Sequence, residues 1–386
     1  MKCLVLTSEY PPSIGGVGNA TATFSHEMTR RGWSIEIITV AVYGHLAEEK
    51  TPDGVVHRLA LNGDASFWNP LSHDLDRFDA LLTRFRPNVV VIHGWRGWCV
   101  KVVPRIHAAK IPVILQSHGF GMHRVPWHLR PPFGLKAWAG YLPFILHLPW
   151  FIRKLYALSV LSKEPRFLTG FDHWIGSRFE CQNVVTIPNG VKKIEGSPLN
   201  FLKVCPHAVN KSIVLNVANY CDHKNQLLAL DLACHSGMEN VFFTFIGSES
   251  NPYFKELSKK TKALGIENRV ALLQGVSRAL TESAIQACDI ALMTSKSEMQ
   301  PLFLLEAMSA GKPWISTNVG SVRELDGGII SQNHSSALAS NLFKLLQNIE
   351  LRNQLGKKGS AQWAAEFSTA KVYDRWQELL LAAVTI

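Results

Sequence analysis

The chain has 386 residues, enough for two domains that each enclose a core, and its 47% apolar and 18% charged residues are typical of a folded globular protein rather than a disordered one. No stretch reaches the roughly 18 uncharged apolar residues of a membrane span. The seven cysteines form no C-x-x-C pair and no metal-ligand spacing, so we expect reduced thiols in a cytosolic protein.

The net charge of +10 is concentrated in the first half of the chain. Residues 1–200 hold 22 lysines and arginines against 14 acids, and no acid occurs between Asp79 and Glu164, where twelve basic residues fall. Basic charge at this density indicates an anionic partner. A nucleic-acid binder is one alternative, but the sequence contains no nucleic-acid recognition module, and we expect no nucleic acid among the partners.

The N-terminal segment predicts a doubly wound α/β domain. KCLVLT and SIEIITV have strand patterns, and the helical pattern NATATFSHEMTRRG lies between them. The apolar run at the N-terminus is too short for a signal peptide. Gly15, Gly16 and Gly18 let a ligand approach the backbone at the start of a helix. A nicotinamide site is disfavoured, because the loop before these glycines is too long and contains Pro11 and Pro12.

Two further apolar strands, NVVVIHG from Asn88 and IPVILQSHG from Ile111, each end in His-Gly. Parallel strands bring such ends to one edge of a sheet, where ligands bind. A single histidine at this position is more often a polar residue with satisfied hydrogen bonds than a catalyst. Both His93 and His118 are nevertheless candidates.

The segment from Met122 to Leu161 is rich in aromatic residues and arginine. One interpretation is a pair of core helices. The other is a surface that faces an anionic membrane or binds a lipid acceptor, with aromatic rings such as Phe151 at headgroup level. The residues assigned to this surface are Arg124, Arg130, Lys136, Trp138, Trp150, Arg153 and Lys154.

A polar segment broken by Gly, Pro and Ser, KKIEGSPLNFLKVCPHAVNKS, follows the first domain and predicts a linker. SIVLNVANY then predicts the first strand of a second domain, and CDHKNQLLALDLACHSG a helix. VFFTFIGSES predicts another strand, with Gly247 at its carboxyl end.

The stretch SKSEMQPLFLLEAMSAGKPWIST carries the most specific chemistry. DIALMT and KPWIST predict strands on either side of a helix that starts near Pro301 and ends before Gly311. Glu298 is then in the loop at the carboxyl edge and Glu306 on the second helical turn. Free N–H groups near residues 300–303 favour a phosphate, and the two carboxylates favour neutral hydroxyls. A ligand with a central diphosphate and hydroxylated rings at both ends is a nucleotide sugar.

Glu298, Glu306 and the following EAMSAGKPWIST resemble the E-x7-E motif and its E-A-M-x-x-G-x-P tail in the retaining glycosyltransferases of family GT4. The resemblance runs along nearly the whole chain and is strongest from Val270 to Leu325. It implies an α/β protein of the GT-B fold, with two Rossmann-like doubly wound domains facing across a cleft. The implied reaction transfers a hexose from a nucleoside diphosphate sugar to a hydroxyl, with retention at the anomeric carbon.

The resemblance also implies roles for individual residues. Glu298 would hold the sugar hydroxyls and Glu306 the ribose hydroxyls. His118, in Q-S-H-G at the place of the family's T-x-H-G, would approach the donor sugar. Gly15 and Gly16 match the Gly-Gly loop that lies against the donor phosphates and the acceptor.

One expected cation is missing from the second domain. The family usually has G-R-x-x-x-x-K-G after its first strand, and Lys224 matches the lysine while Asn219 stands at the arginine position. Asn219 hydrogen-bonds a phosphate, or a basic residue from elsewhere replaces the arginine, or activity is weaker than the family norm; the sequence leaves all three open.

The sequence thus gives one list of candidate site residues. Expected catalytic residues are Glu298, His118 and Lys224. Expected donor-binding residues are Gly15, Gly16, Asn219, Gly247, Gly275, Val276, Gln300, Pro301, Leu302, Phe303 and Glu306. No D-x-D motif is present, and we expect neither a metal nor another cofactor beyond the nucleotide sugar itself.

The expected organisation is an acceptor-binding domain over 1–192, a linker over 193–210, a nucleotide-sugar-binding domain over 211–368, and a final helix over 369–386 that crosses back to the first domain. The expected partners are a UDP or GDP sugar, an acceptor that is a lipid-linked or cell-surface glycan precursor, as in polysaccharide or lipopolysaccharide biosynthesis, and an anionic membrane surface. The expected location is the cytoplasm, peripheral on the inner face of the membrane. A non-catalytic nucleotide-sugar-binding protein and a nucleotide-sugar epimerase of the same fold are the alternatives.

Overall fold

The computed structural model describes residues 1–12, 15–41, 47–59, 72–94, 99–118, 149–163, 176–247 and 250–385. The chain divides into two compact units. The first unit comprises Met1–Gly190 together with Val372–Ile386, and the second comprises Val191–Lys371. Each unit is built around its own largely parallel sheet, so each is described by itself.

Eight strands of the described residues form the sheet of the first unit, in the order β3-β4-β2-β1-β5-β6-β7-β8. Only β3 runs antiparallel to its neighbour. The strands are β1 (Lys2–Thr7), β2 (Ser34–Val40), β3 (Glu48–Thr51), β4 (Gly54–Leu59), β5 (Val89–His93), β6 (Val113–Gln116), β7 (Ala157–Val160) and β8 (Val184–Thr186). The helices are α1 (Gly16–Arg30), α2 (Ser72–Phe85) and α3 (Cys99–Ala108).

Both faces of this sheet are covered, which explains why its central strands are continuous apolar runs rather than alternating ones. Phe24 and Met28 of α1 pack on one face, and Phe78 of α2 packs on the other. The residues at 149–153 are helical, and Phe151 is buried in the second of these layers. The expectation that Phe151 lies at a membrane surface is therefore wrong, because its ring contributes to the core.

The sheet of the second unit has six described strands in the order β11-β10-β9-β12-β13-β14, all parallel. They are β9 (Ser212–Val217), β10 (Val241–Gly247), β11 (Val270–Gln274), β12 (Ile290–Met293), β13 (Trp314–Thr317) and β14 (Gly328–Ser331). The helices are α4 (Pro198–Val204), α5 (Gln226–Leu232), α6 (Pro252–Ala263), α7 (Arg278–Ala287), α8 (Leu302–Ser309), α9 (Ser335–Gln347), α10 (Ile349–Gln362) and α11 (Thr369–Val384). The residues of α11 from Val372 onward belong to the first unit.

This strand order is that of a Rossmann fold, in which ligands bind outside the carboxyl ends of the strands where the winding direction reverses. In the second unit the reversal lies between β9 and β12, which are neighbours in the sheet. The loops that follow these two strands carry Lys224 and Glu298. In the first unit the winding direction reverses between β1 and β5. The loop after β1 leads to Gly15, and His93 is the last residue of β5.

The key strand–loop–helix–strand unit of the sequence is confirmed, with Ile290–Met293 and Trp314–Thr317 as its strands. Pro301 caps α8 rather than occupying its first turn. The helix expected over 221–237 is shorter, because Asn225 has a left-handed conformation (φ 55°) that separates a 3-10 turn from α5.

The segment expected as a linker contains α4, and its Phe201 is fully buried in the core of the second unit. None of the helices in the described part of the chain combines the length and hydropathy that crossing a bilayer requires.

Candidate active site

Lys224 and Glu298 meet at the winding reversal of the second unit. The Lys224 Nζ donates a 2.6 Å hydrogen bond to Oε1 of Glu298, and the Ser295 hydroxyl donates a second one of 2.7 Å to the same oxygen. The lysine side chain is 20% exposed and the glutamate side chain 13% exposed. A partly buried cation and a partly buried carboxylate thus neutralise each other at the carboxyl edge of the sheet.

The two loops that carry this pair are joined by one backbone hydrogen bond and by two contacts of side chains other than those of the pair. The Thr294 hydroxyl donates to the carbonyl oxygen of Asn225, and the Lys296 N–H donates to that of His223 at 2.7 Å. Lys296 also forms a 2.6 Å ion pair with Asp222 across the loops. These contacts join the two loops in addition to the hydrogen bond between the Lys224 and Glu298 side chains.

Gly320 packs closely against the backbone of the loop that carries Glu298. It has a positive φ of 52°, and a Cβ at this position would collide with the carbonyl oxygens of Glu298 and Met299. Ser321 donates its N–H to Met299 O at 2.9 Å. Only a glycine therefore lets the segment after β13 approach the backbone that presents Glu298.

The start of α8 lies directly after Glu298. Leu304 donates its N–H to Pro301 O, so the N–H groups of Leu302 and Phe303 precede the first intrahelical bond. Phe303 and Pro301 are buried and Gln300 is 7% exposed. A ligand at this helix start would therefore meet backbone groups rather than these side chains. A helix start of this kind is suited to a phosphate group.

Glu306 lies on the second turn of α8, and its Oε1 accepts a 2.6 Å bond from the guanidinium of Arg278, the first residue of α7. Arg278 also donates from Nε to Glu282, at 2.9 Å. Burial raises the pKa of the Glu306 carboxyl, and the nearby Arg278 charge opposes that rise.

Gly247 and Gly275 lie at the ends of neighbouring strands, and Gly275 donates its N–H to Gly247 O. A Cβ at Gly247 would collide with Ala218 O and the ring of Tyr220, so packing already requires a glycine there. Gly275 has a φ of 59° and is exposed, and the adjacent Val276 is half-buried. Asn219, at the position of the family's arginine, is exposed and follows β9.

In the first unit, Gly15 caps the 15-residue helix α1, whose first turn has no acidic residue, and Gly16 is its first residue. The Glu9 carboxylate lies against Gly15, where a Cβ would collide with it. No Cβ clash arises at Gly16. The helix start therefore has a carboxylate neighbour that the sequence did not indicate.

His93 and His118, at the ends of β5 and β6, form a hydrogen-bonded pair with 3.1 Å between His93 Nδ1 and His118 Nε2. Phe24 meets the His93 ring edge to face, and Trp376 of α11 is also nearby. Burial lowers the pKa of His118 to about 4 and holds that of His93 well below its usual value, so both rings are neutral.

Three residues of the expected membrane surface are described. Trp150 is exposed, Arg153 forms a 3.5 Å ion pair with Glu180, and Lys154 is half-buried. Four others, Arg124, Arg130, Lys136 and Trp138, lie outside the described residues. In the described part of the chain, no group of three or more His, Cys, Asp and Glu side chains is placed to hold a metal ion.

Three residues at the candidate site in the second unit were not predicted from the sequence. Ser295 follows β12 closely and precedes Glu298 by three positions, so its proximity was a usable signal. Gly320 and Arg278 carry no such signal, because their partners are distant in sequence. Only the folded sheet brings them to Glu298 and Glu306.

Comparisons with known protein families agree with this architecture. The family model "Glycosyl transferases group 1" matches residues 201–362, and the model "Glycosyl transferase 4-like domain" matches residues 15–170. Together the two matches cover most of both units. The chain therefore belongs to the group 1 glycosyltransferases, a family with the GT-B fold.

Curated relatives match over parts of their length. N-acetyl-alpha-D-glucosaminyl L-malate synthase of Bacillus anthracis is 29% identical over 136 residues, which are 33% of this chain and 34% of the relative. Alpha-D-kanosaminyltransferase of Streptomyces kanamyceticus is 22% identical over 171 residues, 43% of this chain and 44% of the relative. The chain thus spans less than half the length of these two relatives.

Solved structures match over the full length. HepE from Anabaena, in complex with UDP, has a TM-score of 0.76 at 17% identity and covers 99% of this chain and 100% of its own. Sucrose-phosphate synthase from Thermosynechococcus elongatus has a TM-score of 0.77 at 16% identity, with the same coverage. At such identities the likeness shows the fold alone.

Proposed function

We propose that this glycosyltransferase moves a hexose from a UDP or GDP sugar to a hydroxyl acceptor, with retention at the anomeric carbon and without a metal. The observation that carries the proposal is the row formed by Glu298, the start of α8 and Glu306, with Lys224 at the Glu298 end. Retention rests on the resemblance of the two glutamates to the E-x7-E motif. A uridine donor is supported by HepE, whose structures hold UDP and UDP-glucose.

In the proposed reaction the donor replaces the internal ion pair. Lys224 and the N–H groups at the start of α8 stabilise the charge that develops on the departing diphosphate. Glu298, released from the lysine, accepts hydrogen bonds from sugar hydroxyls, and Glu306 accepts them from the ribose. His118 is neutral and therefore contacts the sugar as a hydrogen-bonding group rather than as a cation.

The test is a panel of UDP, GDP and ADP sugars measured first by thermal shift, because a donor at 100 times its dissociation constant stabilises the fold by about 2.7 kcal/mol. The best donor is then assayed for acceptor-dependent release of diphosphate, with excess EDTA present, and the anomeric configuration of the product is determined by NMR. Glu298→Ala should abolish transfer while the protein stays folded. Turnover of that variant within a few-fold of wild type, or full inhibition by EDTA, contradicts the proposal.

A second candidate, a nucleotide-sugar-binding protein without catalysis, is favoured by one observation. Asn219 is exposed at the place where the family usually has an arginine, so the diphosphate has one cation fewer. This function would give donor binding in the thermal-shift panel but no acceptor-dependent release of diphosphate. The two assays therefore separate the candidates directly.

For the acceptor we propose a lipid-linked or cell-surface glycan precursor, used at the cytoplasmic face of an anionic membrane. The support is the basic segment between Asp79 and Glu164 and the exposed ring of Trp150. Liposome flotation at low salt, with and without anionic lipid, is the test. Absence of lipid-dependent flotation would refute the membrane part alone.

A further inference from the structure

Arg278 joins the segment that follows β11 to the carboxylate on α8. It is the first residue of α7, three positions after Gly275, and its guanidinium donates to Glu306 Oε1 at 2.6 Å. Its Nε is held by Glu282 at 2.9 Å, one helical turn further on. The guanidinium is therefore oriented from both sides.

The contact with Arg278 favours the charged form of Glu306. Its side chain is only 13% exposed, and a carboxylate at that depth loses hydration that it must recover from a partner. Burial raises the pKa of this carboxyl, and the Arg278 charge lowers it again. Loss of the Arg278 charge favours the protonated carboxyl, which accepts fewer hydrogen bonds than the carboxylate.

The contact also leaves one side of the carboxylate available. Arg278 binds Oε1, whereas Oε2 has no hydrogen bond to any of the described residues. The cluster of Arg278, Glu282 and Glu306 contains one cation and two carboxylates, so its net charge is negative. Such a cluster repels a phosphate and accepts hydrogen bonds from neutral hydroxyls.

We propose that Arg278 is a positioning residue for the nucleoside end of the donor, which holds Glu306 charged and directs its second oxygen to the ribose hydroxyls. The inference rests on the proposed function, because it assumes a nucleotide in this site. The inference goes beyond the proposed function because it assigns recognition of the ribose to Arg278 and Glu306 together rather than to Glu306 alone.

The test is equilibrium titration with UDP and GDP and with their 2′,3′-dideoxy counterparts, which lack the hydroxyls in question. Charge-assisted hydrogen bonds to these hydroxyls should give the wild type a preference of about tenfold or more for the ribose form. Arg278→Ala should reduce that preference to about twofold or less near neutral pH. The loss should be larger at lower pH, because removing the Arg278 charge favours the protonated form of Glu306.

Three further variants separate this role from a structural one. Glu306→Ala should lose the preference at every pH, since no carboxylate remains. Glu282→Gln, which removes only the charge of the second partner of Arg278, should keep the preference for the ribose form. Arg278→Lys should keep part of this preference, because the positive charge remains while the planar guanidinium geometry is lost. The melting temperature of each variant checks that the fold is intact.

Two outcomes overturn the inference alone: Arg278→Ala keeps the full wild-type preference, or it binds both forms more tightly, which would make Arg278 a competitor of the ribose. A third outcome, in which wild-type protein binds none of these nucleotides, overturns the proposed function and this inference with it. The nucleotide titration of the wild type distinguishes the two failures before any variant is made.

Discussion

Lys224 Nζ donates a 2.6 Å hydrogen bond to Glu298 Oε1, so the cation that we propose for the diphosphate and the carboxylate that we propose for the sugar neutralise each other. Each arrives on its own loop, after β9 and β12 respectively, at the reversal of the sheet. A nucleotide sugar that uses both residues must separate them, and its affinity is reduced by the strength of the bond it breaks. The pair is therefore expected to affect binding and turnover in opposite directions.

The first prediction concerns Glu298→Gln, which keeps the shape of the side chain but removes its charge. Lys224 is then released to the diphosphate, so UDP or GDP should bind about tenfold more tightly, while transfer falls by about 100-fold or more. Isothermal titration with the nucleoside diphosphate and a steady-state assay measure the two effects. Lys224→Met is the control and should weaken binding; an unchanged dissociation constant in Glu298→Gln would show that the ion pair does not compete with the ligand.

The second prediction concerns Asn219→Arg, which restores the cation that the family resemblance leads us to expect. Asn219 is exposed after β9, in the loop that leads to Lys224, so an arginine there meets little steric resistance. Binding of the nucleoside diphosphate should tighten about tenfold and become more sensitive to salt. Asn219→Gln is the uncharged control. Equal affinities for the two variants would place the diphosphate away from this position.

The third prediction concerns Ser295→Ala. Ser295 donates a 2.7 Å bond to Glu298 Oε1, and removing it leaves the carboxylate held by Lys224 alone until the donor displaces that lysine. The turnover number should fall about tenfold with little change in the donor KM, since orientation rather than binding is lost. Ser297→Ala, on the same loop, should behave as wild type. A fall in affinity with unchanged turnover would contradict the orienting role.

The local signals in the sequence were sufficient for the fold of this site. Short apolar runs marked β12 and β13, and Pro301 and Gly311 marked the limits of α8, because these residues act through the conformation of their own backbone. The alternation of strands and helices then implied parallel sheets, whose carboxyl edges gather Lys224 and Glu298.

Contacts between side chains that are distant in sequence could not be predicted from these local signals. Arg278 and Glu306 are 28 positions apart, at the start of α7 and on the second turn of α8, and only the folded chain brings them together. Phe201 is a core residue, but it lies in a polar segment broken by Gly, Pro and Ser, and this composition indicates a linker. Asn225 was predicted to be helical, but it has a left-handed conformation, which asparagine adopts more readily than most residues.

The fourth prediction concerns the support of the second sheet. Gly328 pairs with Trp314 across β13 and β14, and the indole ring lies where a Cβ at Gly328 would have to be. Trp314 is fully buried and its Nε1 is bonded to Asp326 O, so the ring cannot move aside freely. Gly328→Ala should therefore destabilise the protein by about 2 to 3 kcal/mol in urea unfolding. Ile330→Ala, at an exposed position of the same strand, should cost clearly less; equal losses would mean that the ring adapts.

The fifth prediction concerns pH and the pair of His93 and His118. Burial lowers both pKa values, that of His118 to about 4, whereas an unfolded histidine titrates near 6.5. Between these values the unfolded chain binds more protons, so the stability contribution is fully present above pH 6.5 and is lost as the pH falls toward 4. For His118 alone the loss is on the order of 3 kcal/mol.

Urea unfolding at a series of pH values should show a steeper decline of stability toward acid pH for wild type than for the double variant His93→Phe, His118→Asn. The variant His107→Asn, at an exposed position of α3, should keep the wild-type slope, and identical slopes for all three proteins would show that the pair is not held neutral by the fold.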